Sequence, residues 1–165
     1  GEYIISKVAF RLSKQHKLNT SYGAIEQELE NLNISSPTIK NVSDAVIKIR
    51  QSKLPDPNKI GNGGSFFKNP VIDNETFQKV QAKFPDIANY PAGEGKTKVA
   101  AGWLIDKAGW KGKTLGNHGV HKNQALVLVN YGGATGKEIY DLSSEIISSV
   151  QESYGITLER EVNIL

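Results

Sequence analysis

Residues 61–70 read Gly61-Asn62-Gly63-Gly64-Ser65-Phe66-Phe67-Lys68-Asn69-Pro70, a combination that no hydrophobic core requires. Glycine reaches φ > 0 and lets another group approach the backbone closely, so Gly63-Gly64 directly before a hydroxyl is a means of presenting Ser65. Just upstream, Lys53-Leu54-Pro55-Asp56-Pro57 contains two prolines, which remove backbone donors and keep the segment extended. A lysine and a serine are thereby delivered to one place by a stiff connector. A cation beside a glycine-rich loop points to a phosphate-bearing ligand. The same composition also describes a surface turn whose serine caps the next element, and composition alone favours the turn.

A second candidate is the acid at position 161. Side chains alternate along a strand, so in residues 156–165 Ile156, Leu158, Arg160, Val162 and Ile164 share one face. Thr157, Glu159, Glu161 and Asn163 share the other. If that face lines a cleft, Glu161 is available for chemistry; if it meets solvent, Glu161 is an ordinary exposed acid. His118 and His121 form a His-x-x-His pair with no third ligand of a metal pattern nearby, so no metal site is expected there.

The strings are more specific than their composition. Ser52-Lys53-Leu54-Pro55-Asp56-Pro57 followed by the run 61–70 closely resembles the substrate-domain signature of the UDP-N-acetylenolpyruvoylglucosamine reductase family, flavoenzymes of bacterial peptidoglycan synthesis. The resemblance continues at Tyr22-Gly23, Asn89-Tyr90-Pro91, Ala100-Ala101-Gly102-Trp103-Leu104-Ile105-Asp106, Gln124-Ala125-Leu126-Val127-Leu128-Val129-Asn130 and Leu158-Glu159-Arg160-Glu161-Val162. The Tyr22 loop is similar to that of the longer of the family's two subtypes. The resemblance covers the family's C-terminal half, and most of its flavin site lies in the N-terminal half. With no methionine in its 165 residues, the chain is expected to be an excised or cleaved piece.

The resemblance implies a reaction in which NADPH reduces FAD and hydride then reaches the vinyl carbon of UDP-N-acetylglucosamine enolpyruvate, giving UDP-N-acetylmuramate. It implies Ser65 as proton donor to the adjacent carbon, where position matters more than the intrinsic acidity of a hydroxyl. Glu161, with an arginine from the N-terminal half, is implied for the developing enolate, and Glu159 is not the chosen acid. Tyr22 and Lys53 match contacts to the substrate pyrophosphate, Asn69 and Gln124 match polar ligands of the phosphates or amino sugar, Tyr90 matches an aromatic near the nucleotide, and Lys111 a further basic contact. Asn163 departs from the arginine the family often carries there. The implied partner is the flavin domain of the same protein, in a cytoplasmic enzyme that is monomeric when intact. A stand-alone nucleotide-sugar binding or interaction module without redox activity is the alternative.

These residues need a scaffold, and the pattern supplies an α+β one: an antiparallel or mixed sheet with helices packed on one face. Residues 1–52 read as the end of a flavin-side domain, 53–155 as a substrate-binding domain and 156–165 as a terminal strand carrying Glu161. Residues 2–12 alternate as a strand does, with Tyr3, Ile5, Val8 and Phe10 as its apolar supply. Helices are expected over 24–32 and 38–52, the latter from the spacing of Val42, Ala45, Val46 and Ile49, and over 98–109. Asp73 can cap a helix bearing Phe77, Val80 and Phe84. Gln124 to Asn130 is a short buried strand, and Thr135 with Glu138 forms a capping box that opens a helix stopping at Gly155.

Composition bounds the partners. The formal charge is +3, from 20 basic and 17 acidic residues, with no basic run, so nucleic acid is not the expected ligand. A slight positive bias suits an anionic nucleotide sugar. Cysteine is absent, which excludes disulfides and thiolate metal sites and is compatible with a reducing compartment. No stretch approaches the ~20 apolar residues of a membrane helix.

Overall fold

The computed structural model describes residues 4–164, and the chain divides into two compact units, residues 1–50 and 51–165. In the first, helix α1 (Ile25–Asn31) buries Ile25 and Leu29, one turn apart. Helix α2 (Ile39–Lys53) contributes Val42, Ala45, Val46 and Ile49 to the same apolar cluster. Each helix thus presents a single stripe at three- and four-residue spacing, as the sequence pattern requires. Glu28 of α1 and Lys48 of α2 close the pair at 2.5 Å. The expected opening strand does not form. Residues 4–12 carry no regular structure and pair with no described strand, and Ile5, Val8 and Phe10 are 82%, 67% and 80% exposed, because alternation alone does not make a strand without a ladder and a buried face. Glu2 and Tyr3 lie outside the described residues.

In the second unit the expected sheet is antiparallel, and it is divided in two. Strands β1 (Gly61–Ser65), β7 (Val127–Asn130), β6 (His118–Val120) and β5 (Thr114–Leu115) lie in that order. Strands β2 (Val71–Asp73), β4 (Lys96–Val99) and β3 (Asn89–Pro91) form the smaller sheet. Helix α4 (Ala101–Lys107) begins three residues later than expected, because Lys96–Val99 alternates, buries Val99 and pairs on both sides as β4. Helix α3 (Asn74–Lys83) is capped by Asp73, whose carboxylate accepts the Thr76 N–H at 2.7 Å. Helix α5 (Gly136–Tyr154) opens on the Thr135/Glu138 capping box and stops at Gly155 with φ 69°. It packs on β6 and β7, burying Leu142, Ile146 and Val150 in a core shared with Phe67, Leu104, Ile105 and Leu128.

Two further expectations change. The glycine-rich stretch is not a free loop: it is the edge strand β1, paired with β7 at Gly61, Asn62 and Ser65 and irregular in register between Asn62 and Ser65. Asn62 builds that irregularity, accepting the Gly64 N–H at 3.1 Å and donating to the Ile60 carbonyl at 2.9 Å, while Gly64 takes φ 75°. A bulge of this kind re-aims the residue that follows it, here Ser65. The terminal segment is also not a full strand. It keeps the expected alternation, with Ile156 and Leu158 buried and Thr157, Glu159 and Glu161 exposed, yet only Arg160 forms a bridge, to Phe67. Core burial holds residues 156–158 extended where no strand edge runs beside them.

Candidate active site

Ser65 ends β1 with its side chain exposed. The next residue is held from both sides: the Phe66 N–H donates to the Leu126 carbonyl at 2.8 Å, and the Phe66 carbonyl accepts the Glu161 N–H at 2.9 Å. Two residues on, the Lys68 N–H donates to the Glu159 carbonyl at 2.9 Å, so the Phe67–Arg160 bridge is bracketed. This register sets Glu161 across from Phe66, the residue after Ser65. The two acids of the segment are not equivalent. Glu159 forms an ion pair with Lys68, whereas the Glu161 carboxylate and the Ser65 hydroxyl engage no hydrogen-bonding partner among the described residues.

The proposed binding residues fall into groups. Asn123 donates from Nδ2 to the Ser52 carbonyl at 3.0 Å, both within the second unit, so Lys53 and Gln124 each stand next to one partner of a single hydrogen bond. The Lys53 side chain is exposed at the last position of α2. Gln124 and Asn69 each approach the start of α4. The Asn69 Oδ1 accepts the Ala101 N–H at 2.9 Å, and the Gln124 Oε1 lies where a Cβ on Gly102 would come within 3.6 Å. Asn69 is therefore already committed through its oxygen, and its amide N–H groups remain available. It also lines a groove of about 380 Å³ with Lys68, Val71, Thr157 and Glu159.

Tyr90 stands apart on the smaller sheet, half exposed and opposite Lys98. Lys111 is engaged by Asp106 at 2.7 Å, so a ligand would have to share it. Tyr22 is in the first unit and 81% exposed. His118 opens β6 and His121 follows it; His121 is buried, and that desolvation, with Lys122 beside it, holds its pKa below the usual histidine range. No cluster of three or more His, Cys, Asp or Glu among the described residues could hold a metal ion, and no described helix is long and apolar enough to cross a membrane.

Comparison with known proteins bears on this arrangement. A family model described as UDP-N-acetylenolpyruvoylglucosamine reductase, C-terminal domain, matches residues 56–165. The chain belongs to the UDP-N-acetylenolpyruvoylglucosamine reductase family. Relatives bearing the reductase name include a Flavobacterium johnsoniae protein, 56% identical over 165 residues, with 99% of this chain and 49% of that protein covered. A Pseudomonas aeruginosa protein is 47% identical over 162 residues, covering 98% of this chain and 48% of its own length. One from Amoebophilus asiaticus is 49% identical over 165 residues, covering 100% and 49%. The chain spans about half the length of the curated relatives it matches.

A flavin is the cofactor that membership in the UDP-N-acetylenolpyruvoylglucosamine reductase family implies, and strand β1, committed to β7 at Gly61, Asn62 and Ser65, offers it no pyrophosphate cradle there. A cradle for a pyrophosphate needs free backbone N–H groups, whereas Gly61 is paired with Asn130, and a Cβ there would lie 3.4 Å from the Asn130 carbonyl oxygen. A Cβ on Gly63 would come within 3.6 Å of Val162 Cγ1. Gly61 serves pairing, whereas 3.6 Å is an ordinary contact distance that leaves room for a side chain at Gly63. Sequence reasoning passed over two residues that shape the site. Asn123 carried no signal beyond its place beside Gln124, but Arg160 did: it is the charged residue in the inward register of the terminal segment.

Proposed function

We propose that the chain is the substrate-binding and proton-donating part of a UDP-N-acetylenolpyruvoylglucosamine reductase, acting on UDP-N-acetylglucosamine enolpyruvate. The single observation that supports this reading most is the Phe66–Glu161 pairing, which draws an uncommitted carboxylate and an uncommitted hydroxyl to neighbouring backbone positions from opposite ends of the unit. The hydride is the chemistry of an NADPH-reduced flavin, and it is assigned to the half of the relatives' length that this chain does not span. What this chain contributes follows from its own residues. As hydride reaches the terminal vinyl carbon, the double-bond electrons move toward the substrate carboxylate and an enolate develops. Glu161 acts on that developing charge by sharing a carboxyl proton with the enolate oxygen, since an ionised carboxylate would repel it, and the Ser65 Oγ–H bond breaks to give its proton to the carbon bearing the ether oxygen. The resulting alkoxide is neutralised by a proton from water. The hydroxyl succeeds only because it is fixed against a strongly basic centre.

Binding falls to Lys53 and Tyr22 for the pyrophosphate, Asn69 and Gln124 for phosphate or amino sugar, Tyr90 near the nucleotide, and Lys111 as a further cation. A compact ammonium on an exposed helix end suits a phosphate. Incubating the full-length protein with NADPH and UDP-N-acetylglucosamine enolpyruvate tests the reading. UDP-N-acetylmuramate should form as NADPH is consumed. Binding of the nucleotide sugar without turnover would instead favour a module that lacks redox activity.

A further inference from the structure

On the inward face of the terminal segment, between buried Leu158 and half-buried Val162, sits the guanidinium of Arg160. Helix α5 grips it three ways. Its Nε donates to Ser143 Oγ at 2.7 Å, its Nη2 donates to Ser144 Oγ at 2.7 Å, and its Cζ lies 4.3 Å from the centre of the Tyr140 ring. The acceptors are themselves oriented. Both hydroxyls donate onward to the Tyr140 carbonyl, at 2.6 Å from Ser143 and 3.1 Å from Ser144, which leaves their lone pairs to face the arginine. Ser143 is fully buried.

No carboxylate meets Arg160 among the described residues, so its charge is satisfied by hydroxyls and a ring face. It also cannot neutralise Glu161, because successive side chains of an extended segment point to opposite sides. Arg160 is moreover the bridge residue itself. The segment beyond residue 156 is attached to the Phe66–Lys68 stretch through the two backbone hydrogen bonds that bracket this residue, with the exposed Lys68–Glu159 ion pair beside them. A side chain locked on one side of a single bridge fixes what the next residue does on the other.

We infer that Arg160 is the positioning residue for Glu161: anchored to Ser143, Ser144 and Tyr140, it holds the bridge to Phe67 and with it the place of Glu161 across from Phe66, the residue after Ser65. The inference rests on the role given to Glu161 above. Arginine suits the task because its planar fork reaches two acceptors and a ring at once, which an ammonium does not.

The test uses the full-length protein as Arg160→Met, Glu161→Gln and the double variant. Misplacing a group by about 1 Å can cost on the order of 10²-fold, so Arg160→Met should lower kcat by about 10- to 100-fold with KM changed by less than about 3-fold. The double variant should be no slower than Glu161→Gln alone, since a carboxylate already removed cannot be mispositioned. Arg160→Lys should recover only part of the loss. Independently of turnover, hydrogen exchange at the Glu161 amide should quicken by about tenfold or more in Arg160→Met, with the amides of α5 unchanged. Losses that multiply in the double variant, or an unaltered kcat in Arg160→Met, would overturn the inference while leaving Glu161 its role. A normal kcat in Glu161→Gln would overturn that role and the positioning with it. Should Arg160→Met fail to fold, Ser144→Ala removes one half-buried acceptor and should give the same pattern at smaller size.

Discussion

Ser65 closes β1 with an exposed hydroxyl, and alanine in its place deletes one oxygen without altering the glycines and Asn62 that shape the strand. In the full-length protein Ser65→Ala should therefore slow product formation by about 10²–10⁴-fold, the usual worth of a positioned general acid, with substrate affinity little changed. Rapid-mixing kinetics can follow flavin reduction by NADPH separately from the step that consumes the enolpyruvyl substrate. Equal slowing of both would make the serine's part structural. Lys53→Ala should do the reverse, weakening substrate binding while leaving the proton step near its normal rate. At this scale the sequence conveyed residue types well and commitments poorly. Asn69 looked like a free ligand, yet its oxygen caps the start of α4, and Lys111 looked free but pairs with Asp106. Such engagements join positions far apart in the chain or depend on how a turn folds back, so no local pattern announces them. Arg160 carried a signal that went unused, because a charge in an apolar register has to be accounted for.

The elements respond to change in ways that their geometry separates. A Cβ at Gly119 of β6 would lie 2.3 Å from the Lys113 carbonyl oxygen and 2.9 Å from the Thr114 Cα, both backbone atoms that cannot step aside. Gly119→Ala should cost about 3 kcal/mol or more and lower Tm by roughly 6–12 °C, read by calorimetry. Gly136 at the start of α5 has open space around it, so Gly136→Ala should be neutral or slightly stabilising. Helix caps give a pH signature. The Thr76 N–H and hydroxyl hold the Asp73 carboxyl below the ordinary range, and the Thr135 N–H and hydroxyl do the same for Glu138. A carboxyl depressed in the folded state lets the unfolded chain take protons first as pH falls. The capping contribution is therefore complete above about pH 4.5 and is lost as pH drops through the folded values. Melting curves between about pH 6 and pH 3 should show a shallower acid loss in Glu138→Gln, which cannot titrate. Thr135→Ala should cost about 1 kcal/mol at neutral pH. Helices and caps were legible because their signals are local. The opening strand was not: alternation names a face, but a strand exists only if an edge and a core receive it, and residues 4–12 find neither among the described residues.

For the whole molecule, assigning the flavin site to the half of the relatives' length that this chain does not span means that this chain alone should bind no flavin in stoichiometric amount. Absorption in the flavin region after adding FAD and removing excess checks this, and stoichiometric tight binding would overturn it. Some affinity for UDP should survive and be weak, since ordering loops without the rest of a pocket is costly. Amide shifts at Lys53, Asn69 and Gln124 would locate it. The cross-chain pairing also sets a timetable for synthesis. Lys68 and Glu159 are 91 residues apart, so the backbone edge of Phe66–Lys68 leaves the ribosome long before the segment that pairs with it. Until residues 159–161 emerge, two large aromatics and an unsatisfied strand edge stand open, the kind of surface that invites wrong partners. The residues that complete the site are thus also the ones that end the nascent chain's most vulnerable interval, and a stall just before them should yield aggregation in preference to a folded but inert product.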